Sequence, residues 1–453
     1  MSMPLSDKEA QRARIALQRF GLGPKPGGLA RIGGDALQAL KDEIGTPRIA
    51  LIQNDGLPNY VTATRISQQG FSGVEQLREK ELRARLDKQL EVEIGFVERL
   101  VMFWSNHFSM SINKDEVIRG TYGQLERDVI RKHVLGKFSD MQLGVMRHPA
   151  MIRYLDNQDS KGPNSPIGKA WGQGYNENLA RESLELHTLG AGGGYSERDV
   201  TAMALLLTGW SYVRWWEINQ DWADVPDDKP GQFYFRQDWH EPGPIKLMGV
   251  TYEAEGRKQA EKAMRDICRR RATAEHIAFK LVRHFITDEP TKAMVEPVAD
   301  AFHKSGGDLK KTALALISLP AAFEAPLTKV RTPYELSIAQ FRALGARYRE
   351  DAMWLFYEPL RAMNNLAWER PAPDGYPDET FAWLDPDGMT IRLDTAMLAV
   401  DAYAGDFKTS PFDLGRSLYG ASMSDTTRDA LMWTSEKRAG LTLLFMSPEF
   451  QRR

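Results

Sequence analysis

The residues best suited to chemistry lie in one segment, NENLARESLELHTLG, at residues 176–190. On an α-helix each residue turns by about 100°, so Asn178, Glu182 and Glu185 fall within about 60° of one another. His187 points to nearly the opposite side, so one unbroken helix does not present both glutamates and this histidine to the same metal ion. The segment therefore predicts a helix with a stripe of one amide and two carboxylates.

This stripe lies close to apolar positions of its helix, which predicts partial burial. Two carboxylates one turn apart repel each other, and when buried they take up protons unless a cation compensates. Arg181 is about 100° away around the helix and reaches one of them at most. Two interpretations stay open: a helix held by ion pairs and amide hydrogen bonds, or an acid/base or metal site with Arg181 and Asn178 as catalytic candidates.

The segment MFWSNHF carries the next candidate, His107. It follows Phe103 by four residues and Leu100 by seven, which places it on the apolar face of its helix. A histidine in such a place is either a core residue bonded to a backbone carbonyl, or a metal ligand or general base.

We predict that these candidates meet in one interior polar pocket. His107, Glu182 and Glu185 are the expected metal ligands, and a carboxylate/imidazole set suits Zn, Mn or Fe. The glycine- and proline-rich loop at residues 156–175 is expected to close the pocket, because long loops inside compact domains usually carry function.

A tryptophan-rich stretch holds the last candidate, His240. The runs QFYFRQDW and IKLMGVTY flank a turn at residues 241–244, which predicts a β-hairpin. A histidine among aromatics at a hairpin tip is either a catalytic residue, as we assign His240, or simply exposed. The tryptophans themselves, Trp210, Trp215, Trp216, Trp222 and Trp239, stack on sugar rings or lie buried.

Composition excludes several classes of protein. The 453 residues include 59 basic and 61 acidic side chains, and this near balance gives no field that attracts nucleic acid or an anionic membrane. Cys268 is the single cysteine, so there is neither an intrachain disulfide nor a cysteine metal cluster. Motifs of the HExxH, GxSxG and GxxxxGK type are absent. No apolar run reaches the roughly 18 residues of a membrane span, and the charged start predicts a cytoplasmic chain.

The pattern of breakers and apolar periodicity predicts a mainly α fold. We expect an N-terminal helical part at 1–208, a small Trp-rich β insertion at 209–252, and a C-terminal helical part at 253–453 that packs on the first as one large domain. Within the helical tract 74–110, the charged first half is predicted to be solvated and the apolar second half to enter the core. Ser6 and Ser196 are predicted helix caps.

Several of these segments together resemble the bacterial domain-of-unknown-function family 1800, over nearly the whole chain from about Ala10. The resemblance rests on RFGLGP, MFWSNHF, LDN, NENLARESLELHTLG, GGGYSERDV, LTGW and KLVRHF. It implies a helical protein that is often encoded beside a member of family 1501, and those neighbours commonly carry a twin-arginine export signal. No catalytic residue is carried over from it.

Two functions follow as hypotheses. One is an enzyme or metal-binding protein that uses the interior pocket. The other is a non-catalytic partner or escort of the exported neighbour, with which the chain would reach the periplasm by co-export.

Overall fold

The fold is described by a computed structural model covering residues 5–53, 56–67, 71–172, 174–220, 225–226, 229–346, 353–403 and 407–453, with the backbone alone at 71, 72 and 353. It is mainly α-helical with a small β region, as predicted. The first helices are α1 Asp7–Ile15, α2 Gly28–Ile32, α3 Ala36–Gly45, α4 Tyr60–Ser67, α5 Phe71–Glu91, α6 Phe96–His107, α7 Glu116–Gln124, α8 Arg131–His133, α9 Phe138–Arg147, α10 Pro149–Tyr154, α11 Pro166–Trp171, α12 Asn178–Glu185 and α13 Glu197–Leu207.

The helices that follow the β region complete the fold. They are α14 Arg257–Cys268, α15 Arg271–Phe285, α16 Lys292–Lys304, α17 Leu309–Ile317, α18 Pro320–Glu324, α19 Pro333–Ala343, α20 Met353–Ala362, α21 Pro386–Tyr403, α22 Pro411–Tyr419, α23 Asp425–Trp433, α24 Lys437–Met446 and α25 Pro448–Gln451. Across the described ranges, no helix combines the length and apolar character that a membrane crossing requires.

The β region consists of two separate antiparallel pairs, and the predicted pairing is wrong. Strand β1 (Trp210–Tyr212) pairs with β2 (Phe233–Phe235), and β3 (Ile245–Leu247) pairs with β4 (Val250–Tyr252). The run QFYFRQDW contains β2, but the run IKLMGVTY folds back on itself as β3 and β4, so the two runs do not pair with each other across residues 241–244. Two prolines in that turn lack the N–H groups that a ladder needs. Trp222 lies outside the described residues.

Both predicted helix caps are present. Ser6 and Glu9 form a capping box at the start of α1, and Ser196 and Asp199 form one at the start of α13. In each box the N-cap backbone N–H donates to the acidic side chain three residues later, which satisfies a group that the helix itself leaves unpaired.

The charged helix α5 is not solvated on all sides, which corrects the prediction for its sequence. Glu81, Arg85 and Gln89 follow one another at four-residue spacing and are all buried. Each has a polar partner: Glu81 pairs with Arg127 at 2.7 Å, and Gln89 accepts a hydrogen bond from the Tyr334 hydroxyl at 3.0 Å. The pattern of charges along α5 predicts that this face is exposed to solvent, because the sequence of one helix does not show which residues of other helices will pair with it.

The hydrophobic core has two clusters that meet along α5. The first gathers apolar side chains from α1 to α18 together with Trp368, and the second gathers those from α19 to α25 together with Leu22 and Leu86. Leu82, one turn before Leu86, belongs to the first cluster. The three-part division at 208 and 252 stays a prediction.

A buried set of charges lies beside this meeting line. Glu126 belongs to a π-helical segment, Leu125–Ile130, a conformation often found at functional sites. Its carboxylate accepts hydrogen bonds from Arg85 Nε at 3.1 Å and Arg131 Nη2 at 3.3 Å. Arg131 also makes a two-pronged pair with Glu98 on α6, at 2.6 and 2.9 Å. These contacts join α5, α6 and the π-helical segment.

Replacing Arg131 by methionine should destabilise the fold strongly. The change keeps much of the side-chain volume but leaves Glu98 buried without its cation, and losing one partner of a buried pair typically costs about 3–5 kcal/mol. Urea unfolding measures the change in the free energy of unfolding. Arg83→Met on the exposed side of α5, where the ion pair with Asp87 is solvated, should cost about 1 kcal/mol or less. Equal effects of the two changes would contradict this account.

Candidate functional site

The predicted amide and carboxylate stripe lies at the edge of the buried face of α12. Leu179, Ala180, Ser183 and Leu184 form that buried face. Glu182 and Glu185 are half-buried beside it, and Asn178 is exposed at the start of the helix.

Charge repulsion within the stripe has the expected effect. Burial and the neighbouring Glu185 raise the pKa of Glu182, and Asp374 from a distant loop adds to this. Arg181 does not form its ion pairs with this stripe. It pairs with Glu177 at 3.3 Å and with Glu197, at the start of α13, at 2.8 Å. Arg181 therefore ties α12 to α13.

His107 is buried at the end of α6, among histidines. Its Nε2 lies 3.1 Å from the carbonyl oxygen of His187, and its ring centre is 6.1 Å from that of His187 and 6.3 Å from that of His276. Within the described part of the chain, no three His, Cys, Asp or Glu side chains are grouped so that they would hold a metal ion. The metal role of His107, Glu182 and Glu185 stays a prediction.

His240 is buried and not exposed at a hairpin tip. Its Nδ1 lies 2.9 Å from the carbonyl oxygen of Thr208, and its Nε2 lies 3.0 Å from Oε1 of Gln259. Both ring nitrogens are thus engaged with the end of α13 and with α14. The catalytic role assigned to His240, Arg181 and Asn178 stays a prediction.

A pocket at the junction of α5, α6, α15, α19 and the loop at 364–379 holds a different set of polar residues. It encloses about 630 Å³, including its solvent-open mouth. Aromatic and polar side chains share its lining: Arg85, Met102, Ser105, Asn106, Ser109, Tyr122, His284, Thr332, Tyr334, Glu335, Asn365, Leu366, Ala367, Trp368, Arg370, Tyr376, Pro377 and Asp378.

On one side of the pocket, the cationic side chain of Arg85 lies between two aromatic rings. The Arg85 guanidinium carbon lies 4.7 Å from the ring centre of Tyr334 and 5.7 Å from that of Trp368. Tyr122 stacks on Trp368 with ring centres 5.5 Å apart. Arg85 is only 5% exposed, and its Nη1 has no hydrogen-bond partner. Such rings present flat apolar faces, and the cation adds an unused donor.

The floor is a chain of hydrogen bonds and ion pairs that starts at His284. Its Nδ1 lies 2.6 Å from Asp378, and its Nε2 lies 3.1 Å from Nη2 of Arg99. Because arginine only donates, Nε2 is the acceptor and Nδ1 carries the proton. Arg99 then pairs with Glu335 at 3.0 Å, and Glu335 pairs with Arg453 at 2.6 Å.

These contacts shift the protonation of the floor. Burial lowers the pKa of His284 to about 4, although Asp378 opposes the shift. Burial alone would raise the pKa of Glu335, but Arg453 and Arg99 hold it at about 2. At neutral pH His284 is therefore neutral with both nitrogens in use, and Glu335 is an anion between two cations.

The loop that covers the pocket is fixed by α6. Asn106 accepts a hydrogen bond from the Tyr376 N–H at 2.7 Å and donates to its carbonyl oxygen at 2.9 Å. Gly375 has a φ of +82°, and a Cβ there would lie 2.5 Å from the carbonyl oxygen of Asn106. Only glycine fits this close approach without a shift of the backbone.

The sequence reasoning missed Arg85, Tyr334, Trp368 and Asp378. It did single out MFWSNHF and KLVRHF, which supply Asn106 and His284 to the lining. A third segment, the Pro- and Asp-rich run that begins at Pro371, belongs to the loop that covers the pocket. A search around these three segments would have found the site.

Comparison with known proteins identifies the family. The family model described as protein of unknown function (DUF1800) matches residues 15–452, so the chain belongs to this family. Comparison with curated proteins gave no match, and comparison with solved structures gave none either.

Acidification should destabilise the protein before its carboxylates titrate. His284 and His276 have folded-state pKa values of about 4 because burial disfavours the imidazolium, while an unfolded histidine titrates near pH 6.5. Between these values only the unfolded state takes up protons. Each such histidine therefore lowers the free energy of unfolding by about 1.4 kcal/mol per pH unit as the pH falls.

Urea unfolding at several pH values between 7 and 4.5 measures this slope. His284→Gln should reduce the pH slope of the free energy of unfolding by the contribution of one histidine. The slope that remains in this variant comes from the other buried histidines. A stability that does not change between pH 6.5 and 4.5 would contradict the assignment of neutral, buried imidazoles.

Proposed function

We propose that the chain binds a small polar molecule containing a ring, and that the pocket beside Arg85 is the binding site. The observation that carries this proposal is the buried Arg85 guanidinium, placed between Tyr334 and Trp368 with Nη1 unpartnered. A buried donor without a partner is costly, and an acceptor oxygen on a ligand would remove that cost. The aromatic side chains of the lining would contact the ring of the same ligand.

The polar side chains at the floor of the pocket favour a role in ligand binding over a role in proton transfer. His284 already uses both ring nitrogens, and Glu335 is held between Arg99 and Arg453. Side chains fixed in this way keep their positions when a ligand arrives, which lowers the entropic cost of binding. Ser109 and Asn365 add short polar groups to the lining. A lining that is mostly apolar, with a few convergent polar groups, is typical of small-molecule sites.

Crystals soaked with small polar ring compounds, such as benzoates, hydroxypyridines and pyranose sugars, test the site directly. We expect bound fragments to contact Trp368 or Tyr334 and to place an oxygen near Arg85. If fragments occupy other clefts and none enters this pocket, the proposal is wrong.

A matched pair of arginine variants on α5 tests the role of Arg85 in solution. For a fragment that binds in the crystal, Arg85→Met should weaken binding by about tenfold or more, since a hydrogen bond to a charged group contributes about 1.5–3 kcal/mol. Arg83→Met removes an exposed arginine two residues away and should leave the affinity unchanged. Calorimetric titration measures both, and equal affinities would contradict the role of Arg85.

A second candidate function is a partner of the family 1501 neighbour, with co-export to the periplasm. Exposed apolar side chains in the C-terminal part support it: Phe381 is 80% and Trp433 is 83% exposed. Large exposed apolar side chains are typical of protein interfaces.

Co-purification with a tagged family 1501 protein tests this partnership. Wild-type chain should be recovered with the tagged neighbour, and Phe381→Ser with Trp433→Ser should reduce the recovery severalfold. Trp171→Ser, which changes another exposed tryptophan, serves as the control. Periplasmic recovery that persists after deletion of the neighbour would rule out escort by it.

A further inference from the structure

The two carboxylates in the lining of the pocket beside Arg85 already face donors. Glu335 pairs with Arg99 at 3.0 Å and with Arg453 at 2.6 Å. Oδ1 of Asp378 lies 2.6 Å from Nδ1 of His284, the nitrogen that carries the proton. Each of these carboxylates therefore has a donor before a ligand arrives, and neither requires a cationic ligand.

The two amide side chains of the lining use their oxygens within the protein. Asn106 accepts the N–H of Tyr376 at 2.7 Å, and its NH2 group donates to the carbonyl oxygen of Tyr376 at 2.9 Å. Oδ1 of the buried Asn365 accepts the N–H of Tyr334 at 2.9 Å. The NH2 group of Asn365 forms no hydrogen bond with any described residue. Asn365 therefore has a donor to offer to a ligand.

Arg85 presents the end of its guanidinium without a partner. Its Nε donates to Glu126 at 3.1 Å, whereas neither Nη nitrogen forms a hydrogen bond with the residues that the structure describes. The side chain is buried, so little water reaches it to replace the missing acceptors. The two Nη groups lie side by side and match the two oxygens of a carboxylate, which accepts from both at once.

Arg370 brings a second cation to the same lining. It lies two residues after Trp368, whose indole N–H donates to Glu126 at 3.1 Å and whose carbonyl oxygen accepts the N–H of Ile112 at 3.0 Å. These two contacts fix the segment that carries Arg370 beside the pocket. Its ion pair with Asp374 is 3.5 Å long, and the Asp374 side chain is 58% exposed, so solvent weakens the pair. Nε of Arg370 is buried without a partner among the described residues.

We propose that the ligand of this pocket carries a carboxylate, and that Arg85 and Arg370 bind it. The inference rests on the proposed function, a ring compound bound beside Arg85, and it names the chemical class of that compound. The unused hydrogen-bonding groups of Arg85, Arg370 and Asn365 are all donors, and two of these side chains are cations. A carboxylate has acceptors only and a negative charge, so it suits all three. A neutral amide would turn N–H groups toward these donors, and an ammonium group would also add a like charge.

Pairs of ring compounds that differ mainly in charge test the carboxylate in the wild-type protein. Benzoate is compared with benzamide, and phenylacetate with phenylacetamide, since the members of each pair have nearly the same size and shape. Ligand-observed NMR titration at pH 7, where both acids are ionised, measures the dissociation constants. The tighter of the two acids should bind at least about tenfold more tightly than its amide, because hydrogen bonds between charged groups are the stronger ones. Crystals soaked with this acid should place its carboxylate against Arg85.

Arg370→Met tests the contribution of the second cation. Asp374 stays solvated when its partner is removed, so the variant should fold as the wild-type protein does. We expect the change to weaken the binding of the acid about threefold more than that of its amide, as for a partly exposed ion pair. Arg361→Met removes an exposed arginine of α20 that is not part of the lining, and it should change neither affinity.

The outcomes separate the carboxylate from the function on which it rests. Amides that enter the pocket and bind as tightly as their acids overturn the carboxylate and leave the binding of ring compounds standing. An acid whose binding Arg370→Met does not weaken has the same consequence. If no ring compound enters the pocket, the proposed function and the carboxylate are both wrong.

Discussion

The fold depends on pairing charges that the helices carry into the interior. Glu126 is 1% exposed, and its carboxylate is shared by Arg85, Arg131, Ser105 and the indole N–H of Trp368. A buried carboxylate is tolerated only when cations and donors surround it. The segments that carry these four partners must therefore meet at Glu126, and the apolar side chains around them pack within that constraint.

A second buried set runs from His284 through Arg99 and Glu335 to Arg453, and it contributes His284 and Glu335 to the pocket lining. Helix α6 contributes to both sets, since it carries Arg99 and Ser105. Polar side chains that are held by their own partners do not pack against one another as apolar side chains do. A space lined by both polar and apolar side chains therefore remains between the two core clusters. The pocket is a consequence of how the charges are paired.

The misjudged elements share one cause. Helix α5 was predicted to be solvated because its sequence is charged, yet Arg85 is buried since Glu126 and two aromatic rings surround it. The strand Phe233–Phe235 was predicted from a run that flanks a turn, but its partner is Trp210–Tyr212 and not the run on the other side of that turn. In both cases the local pattern was correctly identified, and the deciding contact came from a residue far away along the chain.

The sequence by itself determined the features that depend on near neighbours. These are the mainly helical fold, the capping boxes at Ser6 and Ser196, and the buried position of His107, because periodicity and capping act within a few residues. Only the tertiary structure decided which charge meets which. In the folded chain Arg181 forms an ion pair with Glu197, and Arg85, Trp368 and Asp378 line one pocket. The free energy of a buried charge depends on partners that folding brings from other segments of the chain, so the sequence pattern around each residue does not specify these contacts.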